Sequence, residues 1–163
     1  VMKLNIRGKK REFFTNVGKT LNMILPTEPN TSTTSDKLTS IWLSPDEWMI
    51  FSNDIIEKGD NNYELENLLF SNISKNNFGS ISDVTDQFVM INLEGKKTFE
   101  LLSSGCPFNF NEFKKKKGSS TQTILNHIDV IIHHNDSNNV NLFVRRSFSE
   151  HLWSWINDAA SRL

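Results

Sequence analysis

Ile91-Asn92-Leu93-Glu94 alternates apolar and polar side chains and breaks at Gly95. Alternation of period two reads as a strand, and the glycine as a tight turn. Thr98 to Ser104 then reads as a short helix closed by Gly105. The N-terminus repeats this order: Leu4-Asn5-Ile6-Arg7, then Gly8-Lys9-Lys10, then Glu12, Phe13, Phe14 and Val17, ending at Gly18. An offset of 87 positions aligns Asn, Gly, Lys, Lys and the final Gly, 5 matches in 15. Two copies this far apart predict a duplicated α+β unit rather than a short-period solenoid.

The remaining pattern fills in both copies. Met2 to Arg7 is the first predicted strand. Glu12 to Leu21 is the first helix, with Phe13, Phe14, Val17 and Leu21 on one face. Leu25-Pro26-Thr27-Glu28-Pro29-Asn30 is extended, because each proline biases its predecessor away from helix. Thr31 to Asp36 reads as a polar loop. Ile41-Trp42-Leu43 and Trp48-Met49-Ile50-Phe51 form a hairpin through Ser44-Pro45-Asp46-Glu47, with Pro at the second turn position. Asp54 to Asn62 is polar, Tyr63 to Ile73 reads as a helix, and Gly79 to Val84 as a short strand.

In the second copy, Thr121 to Leu125, Ile128 to His133 and Asn141 to Arg145 are strands, and Asn135 to Asn139 is a turn. Ser147-Phe148-Ser149-Glu150 fits a capping box ahead of a last helix with Phe148, Leu152, Ile156 and Ala159 on its inner face. Each half thus reads as strand, helix, hairpin, helix, a split ferredoxin-like β-α-β-β-α unit. The expected fold class is α+β, with mixed or antiparallel sheets covered by helices. Residues 1–86 form the first repeat and 87–163 the second, packed as one compact domain.

Composition narrows the function. A mean hydropathy of −0.42 is low for a globular chain, but 12 Phe and 4 Trp supply large apolar area per side chain. Eighteen basic residues face 19 acidic ones, a balance with no global field to attract nucleic acid or an anionic membrane. Asn, Lys and Ile are heavily used and Arg is scarce, which reads as coding bias and weakens arguments from lysine runs. The single Cys106 excludes an internal disulfide framework and fits a reducing, cytoplasmic setting. No apolar run is long enough to span a bilayer, and Val1-Met2-Lys3 does not open a signal peptide.

Candidate chemistry is sparse. Cys106 follows a helix C-terminus, where the dipole disfavours a thiolate, so a structural role is expected. His133 and His134 are adjacent on a strand and face opposite sides, so they cannot share one ion. His127 and His151 add no metal-ligand spacing. Asp46 and Glu47 are neighbours in a turn, where turn chemistry accounts for them. Lys114 to Lys117, after Phe108, Phe110 and Phe113, has the look of a basic aromatic stretch, read here as a solvated or partner-facing loop. Gly8 and Gly95 match neither phosphate-binding glycine spacing. Tryptophan is enriched at interface anchors, and two adjacent arginines suit a carboxylate partner. The candidate partner interface is therefore Trp42, Pro45, Asp46, Glu47, Trp48, Arg145, Arg146 and Trp153. No catalytic, cofactor-binding or metal-ligating residue is assigned.

The ordered motifs carry a family resemblance. Trp42-Leu43-Ser44-Pro45-Asp46-Glu47-Trp48 resembles a hairpin of the gamma subunit of heterotetrameric sarcosine oxidase, with Ser44 in place of a glycine. Leu25 to Asn30, Gly105-Cys106-Pro107, Thr121-Gln122-Thr123 and Arg145-Arg146-Ser147-Phe148 with Leu152-Trp153 fall in that family's order, from about residue 4 to residue 160. The resemblance implies a complex that oxidises the N-methyl group of sarcosine to give glycine, hydrogen peroxide and a one-carbon unit for tetrahydrofolate. It implies FAD, FMN, NAD and zinc in the other subunits and none in this chain. It implies alpha, beta and delta partners, chiefly alpha, with no nucleic acid and no membrane. The gamma subunit resembles part of the folate-dependent aminomethyltransferase fold and is treated as non-catalytic. An equivalent subunit of an N-methylglutamate dehydrogenase and a stand-alone folate-binding protein are the alternative readings.

Overall fold

The structure, a computed structural model, describes residues 2–35, 38–52 and 78–163. The helix expected over Tyr63 to Ile73, and the polar stretch before it, lie outside these residues.

The chain divides into two compact units, Val1–Thr85 and Asp86–Leu163. In the first, β1 (Lys3–Arg7) leads to α1 (Arg11–Leu21), β2 (Ser32–Thr34), β3 (Leu38–Ser44), β4 (Glu47–Ser52) and β5 (Ser80–Asp83). These strands form one sheet ordered β2-β3-β4-β1-β5, with every pair antiparallel. In the second, β6 (Phe88–Glu94) leads to α2 (Thr98–Gly105), a 3₁₀ turn (Phe113–Lys115), β7 (Ser120–Leu125), β8 (Ile128–Asp136), β9 (Asn139–Arg145) and α3 (Arg146–Ser161). Its antiparallel sheet is ordered β6-β9-β8-β7.

Among the described residues both units open as strand, helix and three strands, with the first strand paired to the fourth; the first unit then adds β5 on the other side of β1, and the second adds α3. The order β1-β4-β3-β2 repeats as β6-β9-β8-β7. The helices that open the two copies begin at Arg11 and Thr98, at the offset that aligns the two sequence segments. The α+β class with helices over antiparallel sheet is as expected; among the described residues the first unit carries two strands more than β-α-β-β-α and the second one more.

Three local expectations are corrected. Thr31 to Asp36 is not all loop, since Ser32–Thr34 pairs with Ile41, Ser40 and Thr39 as an edge strand. A short edge strand that is at most half-buried has little need of apolar side chains, so its strand character left no hydrophobic trace. Gly18 does not end α1; the helix runs to Leu21 and closes on Asn22 in the left-handed region (φ 54°). Asparagine tolerates that conformation better than most residues. The capping box at Ser147 is not formed: α3 starts at Arg146, its N-cap Arg145 makes no side-chain cap, and Phe148 is 50% exposed.

The first core gathers Met2, Leu4 and Ile6 of β1, Phe13, Val17 and Leu21 of α1, and Leu25, Leu38, Trp48 and Ile50. The positions 13, 17 and 21 lie on one stripe of the helix, which explains how α1 closes the sheet. The second core packs Leu101 and Leu102 of α2 and Leu152, Ile156 and Ala159 of α3 onto Ile132, Leu142 and Val144 of the strands.

Candidate functional site

Trp42 and Trp48 sit opposite each other on β3 and β4. Trp42 is half-buried against the first core. Trp48 is 1% exposed, stacks on Phe13 at 5.7 Å, meets Phe14 edge-on at 5.3 Å, and donates its indole N–H to the Pro26 carbonyl at 2.8 Å. This corrects its place among the interface candidates: its ring and its only donor are both engaged within the first unit.

The turn between the strands is the exposed part of the hairpin. Ser44 Oγ donates to Asp46 Oδ1 at 2.7 Å, and Gly8 N–H donates to the Asp46 carbonyl at 3.0 Å. The Ser44 hydroxyl, with Lys9 and Arg7 nearby, holds the Asp46 carboxyl below its ordinary range. Ser44 is thus the residue that closes the turn on its aspartate. Glu47 Oε2 accepts from Asn5 Nδ2 at 2.7 Å and Arg7 at 3.1 Å, and Lys9 lies 3.8 Å from Asp46. The two carboxylates brace the turn onto the β1–α1 connection. Pro45 stands exposed at the tip.

The other candidates belong to the second unit. Arg145 lies over the Phe88 ring at 5.8 Å. Arg146 donates through Nε to the Asp86 carbonyl at 2.7 Å and through its backbone N–H to Gln87 at 2.8 Å. Both arginines are exposed. Trp153 is 51% exposed on α3, beside an open hollow of about 380 Å³ that Leu93, Leu101, Ile156 and Leu163 also line.

The remaining reactive types are internal. Cys106 is buried with its Sγ 3.6 Å from Thr123 Oγ1. His133 is buried beside Asn141, with 3.4 Å between its Nδ1 and the amide nitrogen. Burial first, and the neighbouring His134 second, push its pKa down to about 4. Among the described residues no three His, Cys, Asp or Glu side chains converge on a point.

The shift of His133 predicts a pH dependence. Unfolding returns the imidazole to about 6.5, so between these values the unfolded chain binds more protons. Stability from this group is complete above about pH 6.5 and is lost as pH falls toward 4. The expected loss is about 3 kcal/mol at most. Urea titrations at several pH values check this, and His133→Gln should flatten the curve across that window.

One feature went unread in the sequence: Phe99, Phe108, Phe110 and Phe113 form a cluster of rings with His134, most of them meeting edge-on, with Phe113 stacked on the imidazole. The spacing of Phe108, Phe110 and Phe113 was visible. Their convergence with a helix and a strand was not.

The architecture defines a class: an α+β protein of two units whose antiparallel sheets share the strand order β1-β4-β3-β2 and β6-β9-β8-β7. The family model for sarcosine oxidase, gamma subunit, matches residues 8–162, and the chain belongs to that family. Its fold is similar to a chain of the heterotetrameric sarcosine oxidase from Corynebacterium sp. U-96 in complex with pyrrole 2-carboxylate. That likeness has a TM-score of 0.85 at 20% identity and covers 99% of this chain and 80% of that one. A likeness to Methanococcus jannaschii TBP reaches a TM-score of only 0.32 at 9% identity, covering 98% of this chain and 93% of that one. No curated protein matches the chain. Among the described residues no helix is long and apolar enough to cross a membrane.

Proposed function

We propose that this chain is the non-catalytic gamma subunit of a heterotetrameric sarcosine oxidase. It packs chiefly against the alpha subunit, with beta and delta completing the assembly. The complex demethylates sarcosine oxidatively to glycine and passes the one-carbon unit to tetrahydrofolate, with FAD, FMN, NAD and zinc held by the other chains.

The observation that carries this reading is the family match over residues 8–162. The structure supports it from another side. Asp46 and Glu47 are tied to Ser44, Asn5, Arg7 and Lys9, and His133 and Cys106 are buried away from solvent. Trp153 remains exposed, with the size and rigidity of an interface anchor. Pro45, the Arg145–Arg146 pair and Trp153 are the contacts proposed for the partner.

Co-expression of a tagged chain with the three other subunits is expected to recover a four-chain complex. A holoenzyme assembled without this chain should be unstable and lose turnover. If it forms and turns over sarcosine at the full rate, the scaffold role is wrong.

A further inference from the structure

The second unit carries a hollow of about 400 Å³ over the phenylalanine cluster, lined among others by Phe99, Phe108, Phe110, Lys96 and Lys114. Lys96 comes from the turn before α2, and Lys114 from the 3₁₀ turn on the other side. Among the described residues neither lysine has a carboxylate within 4 Å. Lys97, Lys116 and Lys117 lie exposed beside them in the chain, and Lys115 is paired with Glu112 at 3.2 Å. Glu100 is the one acidic side chain lining the hollow. The rim is therefore net basic on a chain whose total charge is −1.

The floor is built, not a chance dip. Phe110 and Phe113 are buried, and Phe108 packs edge-on against both, at 4.9 and 5.9 Å. The lysine loop is tied to β8 at three points. His134 Nδ1 bonds the Lys116 carbonyl at 2.8 Å, Gly118 N–H donates to the His134 carbonyl at 2.9 Å, and His134 N–H donates to Ser119 at 2.8 Å. A carbonyl can only accept, so Nδ1 carries the proton and the buried Nε2 is left without a partner among the described residues. That arrangement holds the loop in place before any partner arrives, which lowers the ordering cost of binding.

We propose that this hollow receives an acidic segment of a partner subunit, with an apolar or aromatic side chain on the phenylalanine floor and flanking Asp or Glu at Lys96 and Lys114. The inference rests on the subunit reading above and names a surface that reading leaves open. Charge complementarity selects the occupant. Nucleic acid fits less well: Phe110 and Phe113 are buried and Phe99 and Phe108 are partly buried, so little ring face is open for a base to stack on, and Glu100 opposes phosphate.

The test co-expresses the tagged chain with the other three subunits and compares wild type, K96E/K114E, K96R/K114R and F108S. Wild type and the arginine pair should capture the partners equally. K96E/K114E should hold them on the order of tenfold more weakly, and added salt should weaken wild type toward it. F108S should lose capture even at temperatures well below its own, lowered thermal midpoint, where the isolated chain stays folded. If wild type captures nothing, the subunit reading itself fails and takes this inference with it. If wild type and K96E/K114E capture equally, the inference fails and the subunit reading stands. Binding of a labelled single-stranded oligonucleotide by wild type, abolished in K96E/K114E, would overturn it in favour of nucleic acid.

Discussion

Trp48→Ala should lower the unfolding free energy by about 4 kcal/mol, from removing a large buried aromatic and leaving a cavity. The indole is sealed between β4 and α1, stacked on Phe13 and edge-on to Phe14, so the site has little freedom to collapse. The same change strips the Pro26 carbonyl of its donor, a buried acceptor whose loss costs about 1–3 kcal/mol when left dry. Trp48→Phe separates the two contributions: most of the ring packing remains and the hydrogen bond is gone. Urea denaturation followed by far-UV circular dichroism reads both. An alanine variant within about 1 kcal/mol of wild type would mean that Trp48 does not hold the first core together.

How far the sequence disclosed this fold depends on which physics set each position. The stripe Phe13, Val17 and Leu21 was legible because helix period and core contact coincide there. The repeated Gly-Lys-Lys placed both helices within a residue of their starts, yet its two glycines serve different needs. A Cβ at Gly8 would overlap the Phe13 ring, whereas Gly95 has open space and a φ of 144° that an L side chain rarely adopts. One letter hides a packing constraint in the first copy and a backbone constraint in the second. The capping-box motif failed for a tertiary reason. Arg146 N–H already bonds Gln87 at the end of the strand pairing, so the helix begins one residue before the serine and needs no serine cap.

The candidate interface shows the same limit. Tryptophan composition singled out both Trp48 and Trp153, but only the surrounding elements decide which ring is core and which is surface. Trp48 has α1 laid over it, and Trp153 stays half exposed beside the hollow lined by Leu93, Leu101 and Ile156. His133 is likewise ordinary in sequence. Its low pKa comes from burial, which no local pattern encodes. The turn acids were legible as turn residues, because Pro-Asp turn chemistry accounts for them. What the sequence did not reveal was that β1 supplies the partners of Glu47, an amide donor from Asn5 and a counter-charge from Arg7.

Phe113→Ala should cost the second unit about 3–5 kcal/mol, the range for deleting a buried aromatic. Phe113 is the ring shared by the whole cluster, touching Phe99, Phe108 and Phe110 edge-on at 6.2, 5.9 and 5.4 Å and stacking on His134 at 5.6 Å. Each aromatic pair adds about 0.5–1.5 kcal/mol beyond area burial, so Phe113→Leu should still lose part of that stability while keeping apolar volume. The two variants also differ in where the damage falls. Phe113 opens the 3₁₀ turn that carries Lys114 and Lys115, so its loss loosens the segment pinned by His134 before the sheet itself gives way. Limited trypsin digestion should therefore cut at Lys114 to Lys117 faster in Phe113→Ala than in Leu102→Ala, a core variant of comparable cost on α2. Equal cutting rates at matched stability would show that the loop is held by the fold as a whole and not by this ring.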